Sequence, residues 1–319
     1  MIKIGLNGYN ELARVLLRMV SESNRDVAVV KINQPDTDIS YMAYQLRYSS
    51  IYGRFPGRIG EDEKTLTVGN NIIKVTMEEK ASNVDWSDCG VVIDCCGNNA
   101  DIKAERLIVS GGCAEIPGVD FGLNEKKLKQ EKIVRQVAAE TSAIAVTAAL
   151  INRNFGIENG ICVTVSAMDE VSRCVDAGDA FKWRNGRSME SIIPAVCGGA
   201  QGAGVIFPEL KGLLSGISLR VPVKSVSLLN IVCKLKEKTD YSAVTEVIKK
   251  TSENEFRGLI GVTDESVVSC DFKGCPLSAV IDLRAGILQG GNLLKLTAWY
   301  DGMWSHASKL LKLAEFICS

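Results

Sequence analysis

Apolar positions alternate at the start of the chain: Ile2, Ile4 and Leu6 are separated by Lys3 and Gly5, the period-two pattern of a short strand. Gly8 then turns the chain. From Leu12, apolar residues fall at Val15, Leu16, Met19 and Val20, the stripe of an amphipathic helix. Val27 to Ile32 is apolar and β-branched and predicts a second strand. Strand, glycine turn, helix, strand is a βαβ unit, which requires a right-handed crossover and parallel pairing. Val91 to Cys95, followed by Gly97, and Leu107 to Ser110, followed by Gly111-Gly112, predict further buried strands. The first ~137 residues therefore read as an open parallel sheet carrying helices.

The pattern then changes. Ala138 to Ile151 is alanine-rich and apolar on nearly every face, as expected of a buried helix. Strand-like runs follow at Ile161 to Ala167, Val226 to Leu235, Val280 to Leu283 and Leu293 to Tyr300, with one clear helix near Tyr241 to Thr251. Strands grouped in this way predict a mostly antiparallel sheet with helices on one face. Leu310, Leu311, Leu313 and Ile317 form a helical stripe in the tail, and Glu125 to Glu131 reads as a charged helix face.

Composition narrows the function classes. The 319 residues are 46% hydrophobic and 24% charged, the balance of a globular chain of about two domains. A net charge of −1, from 37 basic and 38 acidic residues, argues against a dedicated nucleic-acid or membrane-surface binder. The longest nearly apolar stretch, Ala143 to Ile151, is far short of the ~20 residues that cross a bilayer. Met1-Ile2-Lys3-Ile4-Gly5 has no charged region followed by an apolar run, so no export signal and a cytoplasmic location are expected. The 11 cysteines are scattered without metal-site spacing, and there is one histidine, His306. The thiols, including Cys95-Cys96 at a strand end and Cys162, Cys174 and Cys197, read as packing groups in a reducing compartment.

Several strings are more specific. Asn7-Gly8, Tyr41-Met42-Ala43-Tyr44, Gly53-Arg54-Phe55, Ile151-Asn152-Arg153-Asn154-Phe155-Gly156-Ile157 and Trp183-Arg184-Asn185-Gly186-Arg187 resemble glyceraldehyde-3-phosphate dehydrogenase. Ile192-Ile193-Pro194-Ala195, Phe207-Pro208-Glu209-Leu210, Leu219-Arg220-Val221-Pro222, Val268-Ser269-Cys270-Asp271-Phe272 and Trp299-Tyr300-Asp301 continue the match in order along the chain. The resemblance implies an α/β fold: a Rossmann-type parallel sheet domain, residues 1–137 plus a C-terminal helix at 304–319, and an α+β catalytic-type domain with a mostly antiparallel sheet, residues 138–303.

That family oxidises an aldehyde through a cysteine thiolate, with a histidine as base and a nicotinamide as hydride acceptor. Counting back from Asn154 and forward from Lys132-Ile133-Val134 puts the cysteine position at Ala139, and the histidine position after Thr164-Val165 at Ser166. A methyl group cannot attack a carbonyl, and a serine does not titrate near neutral pH. Asp169 and Glu140 stand where the family's phosphate-binding hydroxyls are implied, Cys197 replaces a threonine, and Arg220 and Arg173 keep positive charge. Arg220 reads equally as an ion-pair partner or an anion ligand.

The dinucleotide loop departs too. The family's Gly-Phe-Gly-Arg-Ile-Gly is Gly8-Tyr9-Asn10-Glu11-Leu12-Ala13. Asn7, Gly8 and Gly97 remain in the implied cofactor site. Asn10 puts a side chain in the path of the pyrophosphate, and Glu11 adds a carboxylate at a helix N-terminus that otherwise attracts phosphate. Gln34 replaces the ribose-binding aspartate, and Gly302 the asparagine that fixes the nicotinamide amide. The expectation is that no cofactor binds with high affinity, with NAD or NADP held weakly if at all. The losses fall together on the active centre while the fold strings are kept. A catalytically inactive relative acting through protein interaction or assembly is expected, the alternative being an NAD(P)-dependent oxidoreductase with altered chemistry. The family is tetrameric, so a homo-oligomer, tetramer or dimer, is expected. Its interface would include the loop from Arg173 to Pro194 and an apolar patch at Val226, Leu228 and Leu229; an active family subunit or another protein is the other possible partner.

Overall fold

A computed structural model describes residues 1–23, 25–97, 101–112, 115–168 and 189–319. The chain divides into two units: Met1–Val137 with His306–Ser319, and Ala138–Ser305.

The first unit begins with β1 (Ile2–Asn7), α1 (Glu11–Glu22) and β2 (Val27–Asn33), and β1 pairs in parallel with β2 as the βαβ pattern requires. After α2 (Ile39–Arg47) come the two-residue strands β3 (Tyr48–Ser49) and β4 (Gly53–Arg54), then β5 (Ile59–Glu61), β6 (Thr65–Val68) and β7 (Asn71–Thr76). The unit is completed by β8 (Val91–Asp94), β9 (Leu107–Ser110), β10 (Gly118–Val119) and β11 (Ile133–Gln136). Among the described residues the main sheet has nine strands in the order β10-β11-β9-β8-β1-β2-β7-β6-β5. It is parallel from β10 to β7, with β6 and β5 added antiparallel at one edge. The stretch expected to be a charged helix forms only a short 3-10 turn, Glu125–Leu128. It has no buried residue, so no apolar stripe holds a longer helix.

Burial explains the strand choices. Ile4, Leu6, Val29, Ile32, Val92 and Ile93 are wholly or almost wholly buried. Gly5 is needed in β1 because a Cβ there would lie 2.7 Å from the ring of Trp86, which packs with Val84, Val92 and Leu107. The Gly53-Arg54-Phe55 string is tied down by Arg18. Its guanidinium donates to Leu46 O at 2.9 Å and Gly53 O at 2.8 Å and lies 5.3 Å from the Phe55 ring.

The second unit opens with α3 (Ala139–Phe155), buried continuously from Thr141 to Ile151. It then runs β12 (Ile157–Ser166), β13 (Ile193–Val196), α4 (Gly198–Ile206), β14 (Leu214–Arg220), β15 (Ser227–Leu235), α5 (Tyr241–Glu253), β16 (Ile260–Thr263), β17 (Ala279–Gln289) and β18 (Leu293–Tyr300). α6 (Gly302–Cys318) follows. The seven described strands form a sheet in the order β13-β14-β12-β15-β18-β17-β16. The β12/β14 and β16/β17 pairs are parallel and the others antiparallel. α3 packs on this sheet, against β12, β15, β17 and β18. Cys162, Thr164, Leu229, Ile231, Cys233, Leu294 and Leu296 alternate inward and are buried.

That alternation corrects one expectation. Val226 and Leu229 are buried at 4% and 0% exposure, so they belong to the core and not to a surface patch. The exposed apolar positions of this sheet include instead Val196, Ile217 and Ile161, with Ile287 on β17 and Leu293 on β18. Val196 pairs with Ile217, and Ile217 with Val163, so these side chains share one face.

Candidate functional site

In the first unit, the residues expected at a dinucleotide meet at the C-terminal ends of β1, β2 and β8, beside the N-terminus of α1. This is where open α/β sheets bind their ligands. Asn7 closes β1 and donates to Asp94 Oδ1 at 2.9 Å. Gly8 follows with φ of +97°, and a Cβ on it would lie 2.6 Å from Cys96 Sγ. Gly97 has φ of +76°, and a Cβ there would meet Ser110 O at 2.5 Å. Both positions require glycine.

Asn10 does not stand in the phosphate path as an obstacle. It caps α1: its Oδ1 accepts from Ala13 N at 3.2 Å, while its Nδ2 donates to Cys95 O at 2.8 Å. The side chain is thus turned in toward the end of β8, a normal role for asparagine at this position. The first helical backbone bond is Arg14 N to Asn10 O, so the Leu12 N–H at the start of the helix has no intrahelical acceptor. Gln34 lies just beyond β2, and its Oε1 accepts from Tyr9 N at 2.7 Å, joining the end of β2 to the glycine turn. Tyr9 Oη donates to Met42 O at 2.7 Å and anchors the same turn on α2. Glu11 is the first residue of α1 and is partly buried. Cys95 is buried as expected at a strand end, but Cys96 is exposed. Nothing in its spacing marked it as a neighbour of Gly8.

In the second unit, Ala139 is the first residue of α3, so only a methyl group stands at the position expected for a nucleophile. A Cβ on Gly302 would lie 3.8 Å from the Ala139 Cβ, so the fold brings these two positions together. Ser166 ends β12, with its hydroxyl 3.3 Å from that of Ser218 and in contact with the buried Tyr300 hydroxyl. Arg220 lies opposite Ser166 in the β12/β14 register and is half-buried. Glu140 reaches from α3 to its neighbours: its Oε1 accepts from the Thr164 hydroxyl and its Oε2 from Gly199 N at 3.3 Å. Asp169, Arg173, Cys174 and the Trp183–Arg187 string lie outside the described residues.

Among the described residues no buried thiol replaces the missing nucleophile. Burial pushes the Cys162 thiol well up, with Cys233, Cys197 and Glu140 adding to the shift. Burial and then Glu140 raise Cys197 against the opposing N–H groups of Ala200 and Gly199, and burial raises Cys233 to about 12. A reactive cysteine needs the opposite shift. His306 is buried in the first unit with its Nε2 2.8 Å from Ser110 Oγ. Among the described residues no group of three or more His, Cys, Asp or Glu side chains could hold a metal ion, and no helix is long and apolar enough to cross a membrane.

A parallel sheet with a glycine turn at its switch point, followed by a mostly antiparallel unit, places the chain among two-domain proteins with a Rossmann-type first domain. Residues 2–102 match the domain family described as glyceraldehyde 3-phosphate dehydrogenase, NAD binding domain, and residues 138–302 match the C-terminal domain of the same enzyme. Similar full-length relatives include glyceraldehyde-3-phosphate dehydrogenase 2 of Agaricus bisporus, 33% identical over 99% of this chain and 97% of its own. Glyceraldehyde-3-phosphate dehydrogenase 1 of Giardia intestinalis is 34% identical over 100% of this chain and 98% of its own. The corresponding enzyme 2 of Kluyveromyces marxianus is 32% identical over 99% of both. The chain belongs to the glyceraldehyde-3-phosphate dehydrogenase family.

This finding overturns the expectation of no high-affinity cofactor. The matched NAD-binding domain and the full-length relatives point to NAD. The geometry shows why the sequence misled. Asn10 was expected to block the pyrophosphate, yet its side chain is spent on capping α1 and holding the end of β8. The residues present fit a dinucleotide: the turn at Gly8 and the N-terminus of α1 would hold the pyrophosphate, and the end of β2 at Gln34 would take the adenosine end.

Proposed function

We propose that this chain is a catalytically inactive member of its family, retaining a site for NAD and acting through protein interaction or assembly. One observation carries the reading: α3 begins with the methyl group of Ala139 where the family resemblance puts the cysteine. Ser166 stands at the histidine position with no basic nitrogen, so neither the covalent step nor its proton acceptor has a group to perform it. Bound NAD would supply a hydride acceptor, but no thiohemiacetal would form to donate the hydride. Steady-state NADH formation from glyceraldehyde 3-phosphate, NAD and inorganic phosphate at high protein concentration tests the reading. It predicts no turnover above background. A rate within a hundredfold of ordinary enzymes, about 1–1,000 per second, refutes it.

The kept turn at Gly8 supports the second reading, an NAD(P)-dependent oxidoreductase of altered chemistry. It requires some substrate to reduce NAD without a thiolate. A screen of aldehydes and alcohols by NADH absorbance separates the two.

For the mode of action, a homo-oligomer is the form we propose, a tetramer or a dimer in the cytoplasm. The support is the face bearing Val196, 91% exposed, with Ile217 and Ile161 beside it and Val163 partly buried between them. An apolar face of this kind usually marks an interface. Light scattering behind a sizing column decides it: a single species near the 34.5 kDa chain mass refutes the oligomer.

A further inference from the structure

Four polar residues form one row across the parallel sheet of the first unit. Asp94, Asn7, Asn33 and Thr76 are the last residues of β8, β1, β2 and β7, and the strand register sets each opposite the next. Their side chains bond in series. Thr76 Oγ1 donates to Asn33 Oδ1 at 2.9 Å, Asn33 Nδ2 to Asn7 Oδ1 at 3.3 Å, and Asn7 Nδ2 to Asp94 Oδ1 at 2.9 Å. Asp94, Asn7 and Asn33 are buried. The row also holds loops on either side of the Gly8 turn. Cys96 N donates to Asp94 Oδ1 at 3.2 Å, beside Gly97. Glu78 N donates to Asn33 Oδ1 at 3.0 Å, and Glu78 O accepts from Asn33 Nδ2 at 3.0 Å.

Fold stability alone does not call for this row. The residue before each member is apolar (Ile93, Leu6, Ile32 and Val75). Apolar side chains at the four strand ends would bury as much surface and leave no polar group to satisfy. What the row supplies is direction. A carboxylate oxygen only accepts, so Asn7 turns its amide nitrogen to Asp94 and its oxygen to Asn33. Asn33 must then turn its nitrogen to Asn7 and its oxygen to the Thr76 hydroxyl and the Glu78 N–H. One acceptor at the end of β8 thus orients both amides, and with them the backbone after β8 and β7. We propose that Asp94 is a positioning residue of the NAD site: through Asn7 and Asn33 it sets the Cys96-Gly97 and Glu78 loops on either side of the Gly8 turn. Asp94 is fully buried, so it acts through these neighbours and not by contact with the cofactor. The proposal rests on the reading that the chain retains a site for NAD, and it is independent of Ala139.

The test is NAD binding to the full chain by calorimetry, with urea unfolding measured alongside. Parent, Asp94→Asn, Asp94→Ala and Asn7→Leu are compared; Asn7→Leu covers failure of Asp94→Ala to fold. Asp94→Asn keeps an oxygen for both Asn7 and Cys96 and is expected to bind NAD within about threefold of the parent. The other two remove the acceptor or the first amide of the row and are expected to weaken NAD binding about tenfold or more in chains that remain folded. A merely structural role would lower the unfolding midpoint and leave the affinity of the folded chain unchanged. A folded Asp94→Ala or Asn7→Leu that binds NAD within about threefold of the parent overturns the proposal. A loss in Asp94→Asn as large as in Asp94→Ala overturns it too, as does failure of both Asp94→Ala and Asn7→Leu to fold, which would assign the row to the fold alone. A parent that binds no NAD refutes the retained site and the proposal with it, and that result is read on the parent before any variant is compared.

Discussion

Lowering the pH through the range of an ordinary histidine should weaken the first unit, and His306 sets the size of the effect. The imidazole is buried against Ser110, and its pKa is lowered to about 4 from the usual 6.5. Burial is the main cause and the nearby Lys309 adds to it; the Asp120 carboxylate and the Val137 backbone oppose it. Lys309 itself is paired with the buried Asp120. In the folded chain His306 stays neutral until about pH 4, whereas in the unfolded chain it takes a proton at about 6.5. The stabilisation is therefore fully present above pH 6.5 and is lost as the pH falls toward 4. The full span of about 2.5 pKa units corresponds to about 3 kcal/mol, and at pH 5 the loss is about 2 kcal/mol. Because the chain has a single histidine, one imidazole resonance reports the folded-state titration directly by NMR. Urea unfolding of the parent and of His306→Gln at pH 8 and pH 5 gives the energy. The parent should lose about 2 kcal/mol relative to the variant between those pH values. A resonance that titrates near 6.5, or a parent–variant difference that does not move with pH, refutes the reasoning.

Three further outcomes follow from the same geometry. Gly8→Ala forces a side chain into a positive-φ position against Cys96 and should weaken NAD binding tenfold or more by calorimetry, after a backbone cost of about 1–2 kcal/mol; an unchanged affinity would remove Gly8 from the site. Ala139→Cys combined with Ser166→His should leave NADH formation more than a hundredfold below ordinary rates of about 1–1,000 per second, because Glu140 still fills the donors beside α4; normal turnover would show that those two positions alone account for inactivity. Lys309→Met leaves the Asp120 carboxylate buried without its cation and should cost about 3–5 kcal/mol in urea unfolding; a loss below about 1 kcal/mol would mean that water reaches the carboxylate.

The parts of the fold legible in the sequence were those whose burial follows a simple period. β1, α1 and β2 have it, as do the continuously buried α3 and the strands β15 and β18. α4 was not legible: it holds Gly198, Gly199, Gly202 and Gly204 in nine residues, a composition that disfavours helix on propensity alone. It is helical because contact with α3 needs backbone without side chains, a requirement set by a partner distant in sequence. The edge strands β5 and β6 are short, and their alternation is too brief to read. For the site, positions were legible and directions were not. Counting placed Ala139 and Ser166 at particular residues, and the fold puts them at the start of α3 and the end of β12. Whether Asn10 blocked a phosphate path or capped a helix depended on where its amide points, and only the neighbouring Cys95 carbonyl and Ala13 N–H decide that. From sequence Glu140 is only a repulsive charge; its bonds to Gly199 and Thr164 depend on α4 being a helix.

With a methyl group at Ala139, no covalent intermediate is expected to form on this chain. Intact-mass spectrometry tests it most directly, after the protein is incubated with glyceraldehyde 3-phosphate and NAD and without inorganic phosphate, so that an acyl-enzyme would accumulate. With Ala139 at the start of α3, the mass should remain that of the unmodified 34.5 kDa chain and no stoichiometric NADH burst should appear. A mass increase matching one acyl group per chain, accompanied by one equivalent of NADH, would contradict the account.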